Sequence, residues 1–169
     1  MIRKNYLLTP LAGLVACAVA AGDLTARPSA DAEKAAVRNV IAQFSQAVAA
    51  KDERRILSLF VSSEITWYRV QSDAAMAQVR TGTTPRERVG TDTPAGFAHF
   101  VANSKEDVQE LADNIVVESD GYLASATFDY VFYVGKRITN RGLESWHLIK
   151  TDEGWKIDAL SYSVRLPTE

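Results

Sequence analysis

Asp129 and His147 are side chains of the general acid/base type, and both lie in stretches that read as β-strands, with Asp158 in a third. Histidine titrates near neutral pH and a neighbouring carboxylate would orient it, so Asp129 with His147 could abstract a proton beside a carbonyl or activate a water. Register decides whether they meet, because side chains alternate faces along a strand. If Gly135 to Arg141 forms a seven-residue loop, Val134 pairs with Gly142 and Asp129 falls opposite His147. If Thr151 to Gly154 forms a four-residue loop, Lys150 pairs with Trp155 and His147 falls opposite Asp158. The three polar residues then form one row. The same registers gather Phe128, Tyr130, Phe132, Trp146, Leu148, Trp155 and Ile157 on the other face, which is much the more apolar and should be the one covered by helices. Asp129, His147 and Asp158 are therefore expected on the convex side, where a cross-strand polar pair is an ordinary surface feature. A slip of one residue in either loop would reverse part of this arrangement.

Tyr68, Phe97, Tyr130, Trp146 and Trp155 are candidates for the wall of an apolar ligand cavity, and the two tyrosines would supply the few polar contacts that orient a ligand. The same residue types also build ordinary cores. His99 sits with Phe97 and Phe100 in a helical stretch and reads as a helix-surface residue. Two histidines far apart, without spaced carboxylates, make no metal signature, so neither a metal nor a cofactor is expected. The single cysteine, Cys17, excludes an internal disulfide framework and a multi-cysteine zinc site. With 19 Lys and Arg against 21 Asp and Glu, the net charge of -2 gives no footprint for a phosphate backbone, and nucleic acid is not an expected partner.

The elements that must position these residues can be read along the chain. Arg3 and Lys4 precede an uncharged stretch from Asn5 to Gly22, a targeting pattern too diluted by Asn5, Thr9, Pro10, Gly13 and alanines for a stable membrane span. Residues 1–22 read as a secretory signal. Ala18-Val19-Ala20 supplies an ordinary cleavage site, whereas Leu14-Val15-Ala16-Cys17 resembles a bacterial lipobox, in which Cys17 would be lipidated and anchor the chain. The expected address is periplasmic or secreted, or membrane-anchored as a lipoprotein. Residues 23–30 form a spacer, and 31–169 a single domain of ordinary composition, 47% hydrophobic and 24% charged over the whole chain. Val37, Val40, Ile41, Phe44 and Val48 recur at helical spacing, and Ile56, Leu57 and Phe60 mark a shorter helix capped by Asp52. Ile65 to Val70 is a strand by composition. From Ser72 to Gly96 the chain reads as a helical turn over Asp73 to Arg80 and then a loop, before Thr93-Pro94 opens another short helix. Four strand stretches follow: Val108 to Glu118, Tyr122 to Val134, Leu143 to Lys150 and Trp155 to Val164. Helices followed by a meander indicate an α+β fold.

Ala49-Ala50-Lys51-Asp52 followed by Ile56, Leu57 and Phe60, and the closing run from Trp146 to Ile157 with its Gly154-Trp155-Lys156-Ile157, resemble the NTF2-like superfamily over nearly all of the chain past the signal. Within it the likeness is to SnoaL-like, ketosteroid-isomerase-like and DUF4440-type bacterial proteins. The resemblance implies a cone, in which a strongly curved, mainly antiparallel sheet wraps around N-terminal helices and leaves an apolar pocket. Such domains include enzymes and non-catalytic binders, so function must come from the site. Because no carboxylate or histidine is expected on the inner face, the leading expectation is non-catalytic binding of a small apolar or aromatic molecule, or of a protein partner. The alternatives are a cofactor-free isomerase, dehydratase or hydrolase using Asp129 and His147, and a structural module that forms a homodimer through its open sheet face.

Overall fold

The computed structural model describes residues 29–80 and 87–168. The expected signal, its two cleavage alternatives and Cys17 lie outside these residues. Ser29 accepts the amide of Ala32 at 3.2 Å and so starts helix α1 (Ala30–Ala49), with Asp31 and Glu33 in the first turn where carboxylates meet the positive end of the helix dipole. Asp52 accepts the amide of Arg55 at 3.0 Å and opens helix α2 (Glu53–Ser58). Strand β1 (Thr66–Gln71) and helix α3 (Asp73–Arg80) follow. The stretch expected as loop contains strand β2 (Val89–Asp92), a short edge strand whose Gly and Thr residues gave no alternation to read. Thr93 accepts the amide of Gly96 at 3.0 Å, with Pro94 at the first position of helix α4 (Pro94–Asn103).

Strands β3 (Val108–Ser119), β4 (Leu123–Val134), β5 (Arg137–Thr151) and β6 (Gly154–Val164) form a meander, and β1 joins it beside β6 in parallel, giving the sheet order β2-β1-β6-β5-β4-β3. Every other pairing is antiparallel. Three bulges bend the sheet. Asn114, at φ 52°, and Ile115 together oppose Phe128; Thr139 is extra against β4; Asp158 is extra against β5. Each increases local twist and curls the sheet around the helices.

The inner face is the one expected: Phe128, Tyr130, Phe132, Trp146, Leu148, Trp155 and Ile157 are all buried there. The registers differ in part: Lys150 does pair with Trp155, but the extra Asp158 sets Ala159 opposite His147. The connection between β4 and β5 is a two-residue turn, Gly135-Lys136, with Gly135 at φ 61° in the manner of a tight hairpin that needs glycine first. Asp129 therefore pairs with Leu143, and His147 with Ser125. Because Leu143 lies an even number of residues from His147, Asp129 and His147 keep their face although their partners change.

α1 fills the concavity with Val37, Ile41, Phe44 and Val48. Phe44 stands edge-on to Trp146 at 5.3 Å and stacks on Phe97 at 5.6 Å, so one ring joins α1, β5 and α4. Near the start of α1, buried Glu33 accepts from Lys150 Nζ at 2.6 Å and from Trp155 Nε1 at 2.8 Å, tying the helix to the β5–β6 hairpin.

Candidate functional site

The open end of the cone is a cavity of about 530 Å³. Its walls are rings: Trp67 from β1, Phe97 and Phe100 from α4, Tyr130 and Phe132 from β4, Tyr162 from β6. Its polar lining comes from Arg69, Asp92, Glu110, Asn140 and Glu144 with Thr91 and Thr93. Strand alternation explains most of these. Glu110 shares a face with buried Val108, two residues earlier on β3, and Glu144 shares one with buried Trp146, two residues later on β5. Both glutamates are about nineteen-twentieths buried. Tyr162 reaches the cavity for another reason: the bulge at Asp158 shifts the alternation of β6, turning Leu160 and Tyr162 inward after Trp155 and Ile157.

The cavity holds two polar groupings. Toward β1 and β2, Arg69 Nη1 donates to both oxygens of Asp92, at 3.0 and 2.9 Å, and Tyr162 Oη donates to Asp92 Oδ2 at 2.9 Å. Burial works against the Arg69 charge, but Asp92 and Tyr162 together offset it and raise the guanidinium pKa, so the arginine stays charged. Burial, with the charge of Asp92 beside it, pushes the Tyr162 hydroxyl far up. Toward β3, β4 and β5, Tyr130 Oη donates to the Ser163 carbonyl at 2.9 Å and accepts from Asn140 Nδ2 at 2.9 Å. Gly142 permits this contact, since a Cβ there would run into the Ser163 carbonyl.

Glu144 accepts from the indole Nε1 of Trp146, whereas Glu110 has no hydrogen bond or ion pair from any described residue. Burial pushes Glu144 up to about 7, with the indole hydrogen bond holding it back. Glu110 goes well above the usual carboxyl range, through burial and then through repulsion from Glu144. Two carboxyls facing one apolar cavity cannot both ionise cheaply, and the one with a donor takes the charge first. Glu144 thus titrates near neutral pH, and Glu110 is pushed toward its protonated form. A carboxylate beside a carboxylic acid can accept a proton at one point of a bound molecule and donate one at another.

Of the residues singled out from sequence, Phe97 and Tyr130 line this cavity. Trp146 lies beneath it, holding Glu144, and Trp155 is buried against Glu33; neither reaches the cavity wall. Tyr68 is 44% exposed on the outer face, and its neighbour Trp67 points inward instead. Asp129 and His147 are exposed on the outer face as expected, but they do not meet: Asp129 accepts from Asn114 Nδ2 at 2.8 Å, and His147 Nδ1 lies 2.8 Å from Asp158 Oδ1. His99 is exposed on α4 beside Asn103. The inner face does carry carboxylates, Glu110 and Glu144, contrary to expectation. Continuing the alternation outward from Val108 and from Trp146 would have found both.

No family model matches the sequence, and no curated protein matches it. Solved structures do match in shape. An NTF2-like protein of unknown function from Pseudomonas putida superposes with a TM-score of 0.59 at 12% identity, covering 84% of this chain and 93% of that one. A proposed dehydratase of the NTF2-like family from Streptomyces avermitilis gives 0.58 at 14% identity, over 82% and 99%. An NTF2-like protein with a cystatin-like fold from Novosphingobium aromaticivorans gives 0.57 at 12%, over 78% and 81%. The fold is the NTF2-like cone.

Proposed function

We propose that this NTF2-like cone binds a small molecule and exchanges protons with it through Glu110 and Glu144. One observation carries the reading: two buried carboxyl groups face the same aromatic cavity, and no described cation is paired with either. The cavity, about 530 Å³, is of a size that encloses a small organic ligand. Glu144, held by Trp146, is the base; Glu110, which keeps its proton longest, is the acid. Non-catalytic binding was expected only because the inner face was taken to lack such groups, and that ground is gone. Asp129 and His147 lie on the outer face, outside this cavity. The Streptomyces avermitilis protein, proposed as a dehydratase, would also need to move protons, though a shared fold does not transfer the reaction.

A general-base probe tests this without knowledge of the natural ligand. 5-Nitrobenzisoxazole loses its ring C–H proton to a desolvated carboxylate while its N–O bond breaks, giving a coloured cyanophenolate. The protein should accelerate this reaction beyond acetate at equal concentration, with a rate that climbs as pH rises through about 7. Glu144→Gln should lower the rate by about a hundredfold, and His147→Ala and Asp129→Asn should leave it unchanged. A wild-type rate no greater than acetate's, or a Glu144→Gln rate equal to wild type, would overturn the reading.

A further inference from the structure

The charge balance of the cavity says what kind of molecule belongs in it. Arg69 is the one basic side chain among the described lining residues, and Asp92 takes its Nη1 with both carboxylate oxygens. Those two charges cancel. Glu110 and Glu144 remain, without any lysine, arginine or histidine of the lining to balance them. The tyrosine donors of the lining are already engaged. Tyr130 gives its proton to the Ser163 carbonyl and Tyr162 gives its own to Asp92. Trp67 Nε1 and Arg69 Nε have no acceptor, but both are buried out of reach of water. Once the pair gives up its proton, the cavity presents acceptors toward the glutamates: the carboxylate of Glu110 and the Glu144 oxygen that Trp146 leaves open.

The surrounding rings favour the same charge. Phe97 and Phe132 lie with centroids 6.0 Å apart, and Phe132 and Phe100 6.4 Å apart, with Tyr130 and Tyr162 edge-on to each other at 5.9 Å. The faces of aromatic rings attract cations, most strongly where water is excluded. An anionic ligand would set its charge beside that of Glu144 and hold the proton on Glu110 more firmly, and a neutral one would leave Glu110 dependent on its own proton.

We propose that the ligand is an organic cation, a small amine or ammonium compound, whose charged nitrogen sits between Glu110 and Glu144 against the aromatic wall. This rests on the cone being a small-molecule site, and it deepens that reading by naming the ligand's chemistry. Binding then displaces the proton that the glutamate pair holds in the empty cavity, and so releases protons to solvent. The titratable and charged groups facing the nitrogen are Glu110 on β3, Tyr130 on β4, Glu144 on β5, Tyr162 on β6, and the Arg69 and Asp92 pair on β1 and β2. The two tyrosines take no part near neutral pH, since burial pushes both far above their ordinary range.

Three probes of matched size, benzylamine, benzyl alcohol and benzoate, separate the possibilities by calorimetry on the full chain at pH 7.5. Benzylamine should bind at least about tenfold more tightly than benzyl alcohol, and benzoate should bind least. The heat of benzylamine binding should differ between phosphate and Tris in the sense of proton release. Glu110→Gln and Glu144→Gln should each erase the preference. Equal affinity for amine and alcohol, an amine preference that survives both substitutions, or no binding of benzylamine would overturn the proposal. Should either variant fail to fold, as its circular dichroism would show, the ranking of the three probes on the wild-type chain still decides it. Benzisoxazole turnover without amine preference would sink this proposal alone; amine preference without turnover would sink only the acid/base reading.

Discussion

A carboxyl group in a water-poor cavity holds its proton to a higher pH than the same group in an unfolded chain, and Glu110 and Glu144 both do so. The folded protein therefore binds more protons than the unfolded one above the ordinary glutamate range, and stability must fall as pH rises. The contribution is complete below about pH 4 and is lost as pH climbs through about 7 for Glu144, with Glu110 acting in the same direction. Glu144 alone accounts for roughly 3 kcal/mol across that window. Urea unfolding at pH 5, 7 and 9 should show this decline, and Glu144→Gln, which keeps an acceptor for Trp146, should flatten it and gain stability over wild type at pH 9. A wild-type profile already flat would mean that the pair is hydrated. Both glutamates were legible from sequence, since Val108 and Trp146 fix the parity of their strands and each glutamate lies two residues away. Tyr162 was not. No residue type marks Asp158 as the extra one in its strand, so the shift that brings Tyr162 inward had no signal to announce it.

At the level of elements, the helices declared themselves through side chains that bond their own backbone: Ser29, Asp52 and Thr93 all cap as their types predict. The β4–β5 connection did not, because Lys136 and Arg137 look like loop residues and only the left-handed geometry of Gly135 makes the two-residue turn. Asp129 and His147 lost their expected partnership to that turn and kept their face by parity. The joint between α1 and the hairpin β5–β6 rests on Glu33, which satisfies Trp155 Nε1 and Lys150 Nζ together. Glu33→Ala should cost about 2 kcal/mol or more, because the buried indole donor is orphaned while Lys150, a third exposed, can turn back to water. Thermal and urea unfolding would measure it, and a loss under about 0.5 kcal/mol would show that apolar packing alone seats the helix. Phe44, at the meeting of three elements, bounds that alternative: its replacement by Ala should cost about 3–5 kcal/mol.

Over the whole molecule, the sheet has one face under helices and one open. Leu111 and Leu143 stand 53% and 47% exposed on the open face, on strands that flank β4. The homodimer expected from the sequence would use this face. Light scattering should give twice the monomer mass, and Leu111→Lys with Leu143→Lys should halve it; a monomeric wild-type chain would remove the idea. The order of the strands has a different consequence. β1 lies beside β6, so that Trp67 pairs with Leu160, and β2 pairs in the sheet with β1. Synthesis delivers β1 early and its neighbour last. Contacts so distant in sequence form slowly, and here they cannot form until the final strand has left the ribosome. A nascent chain halted before residue 154 would already possess Arg69, Asp92, Glu110 and Glu144, but it would have no edge on which to seat the first two. The carboxylates would stay in water, fully ionised and ordinary, until the last strand closed the cone around them.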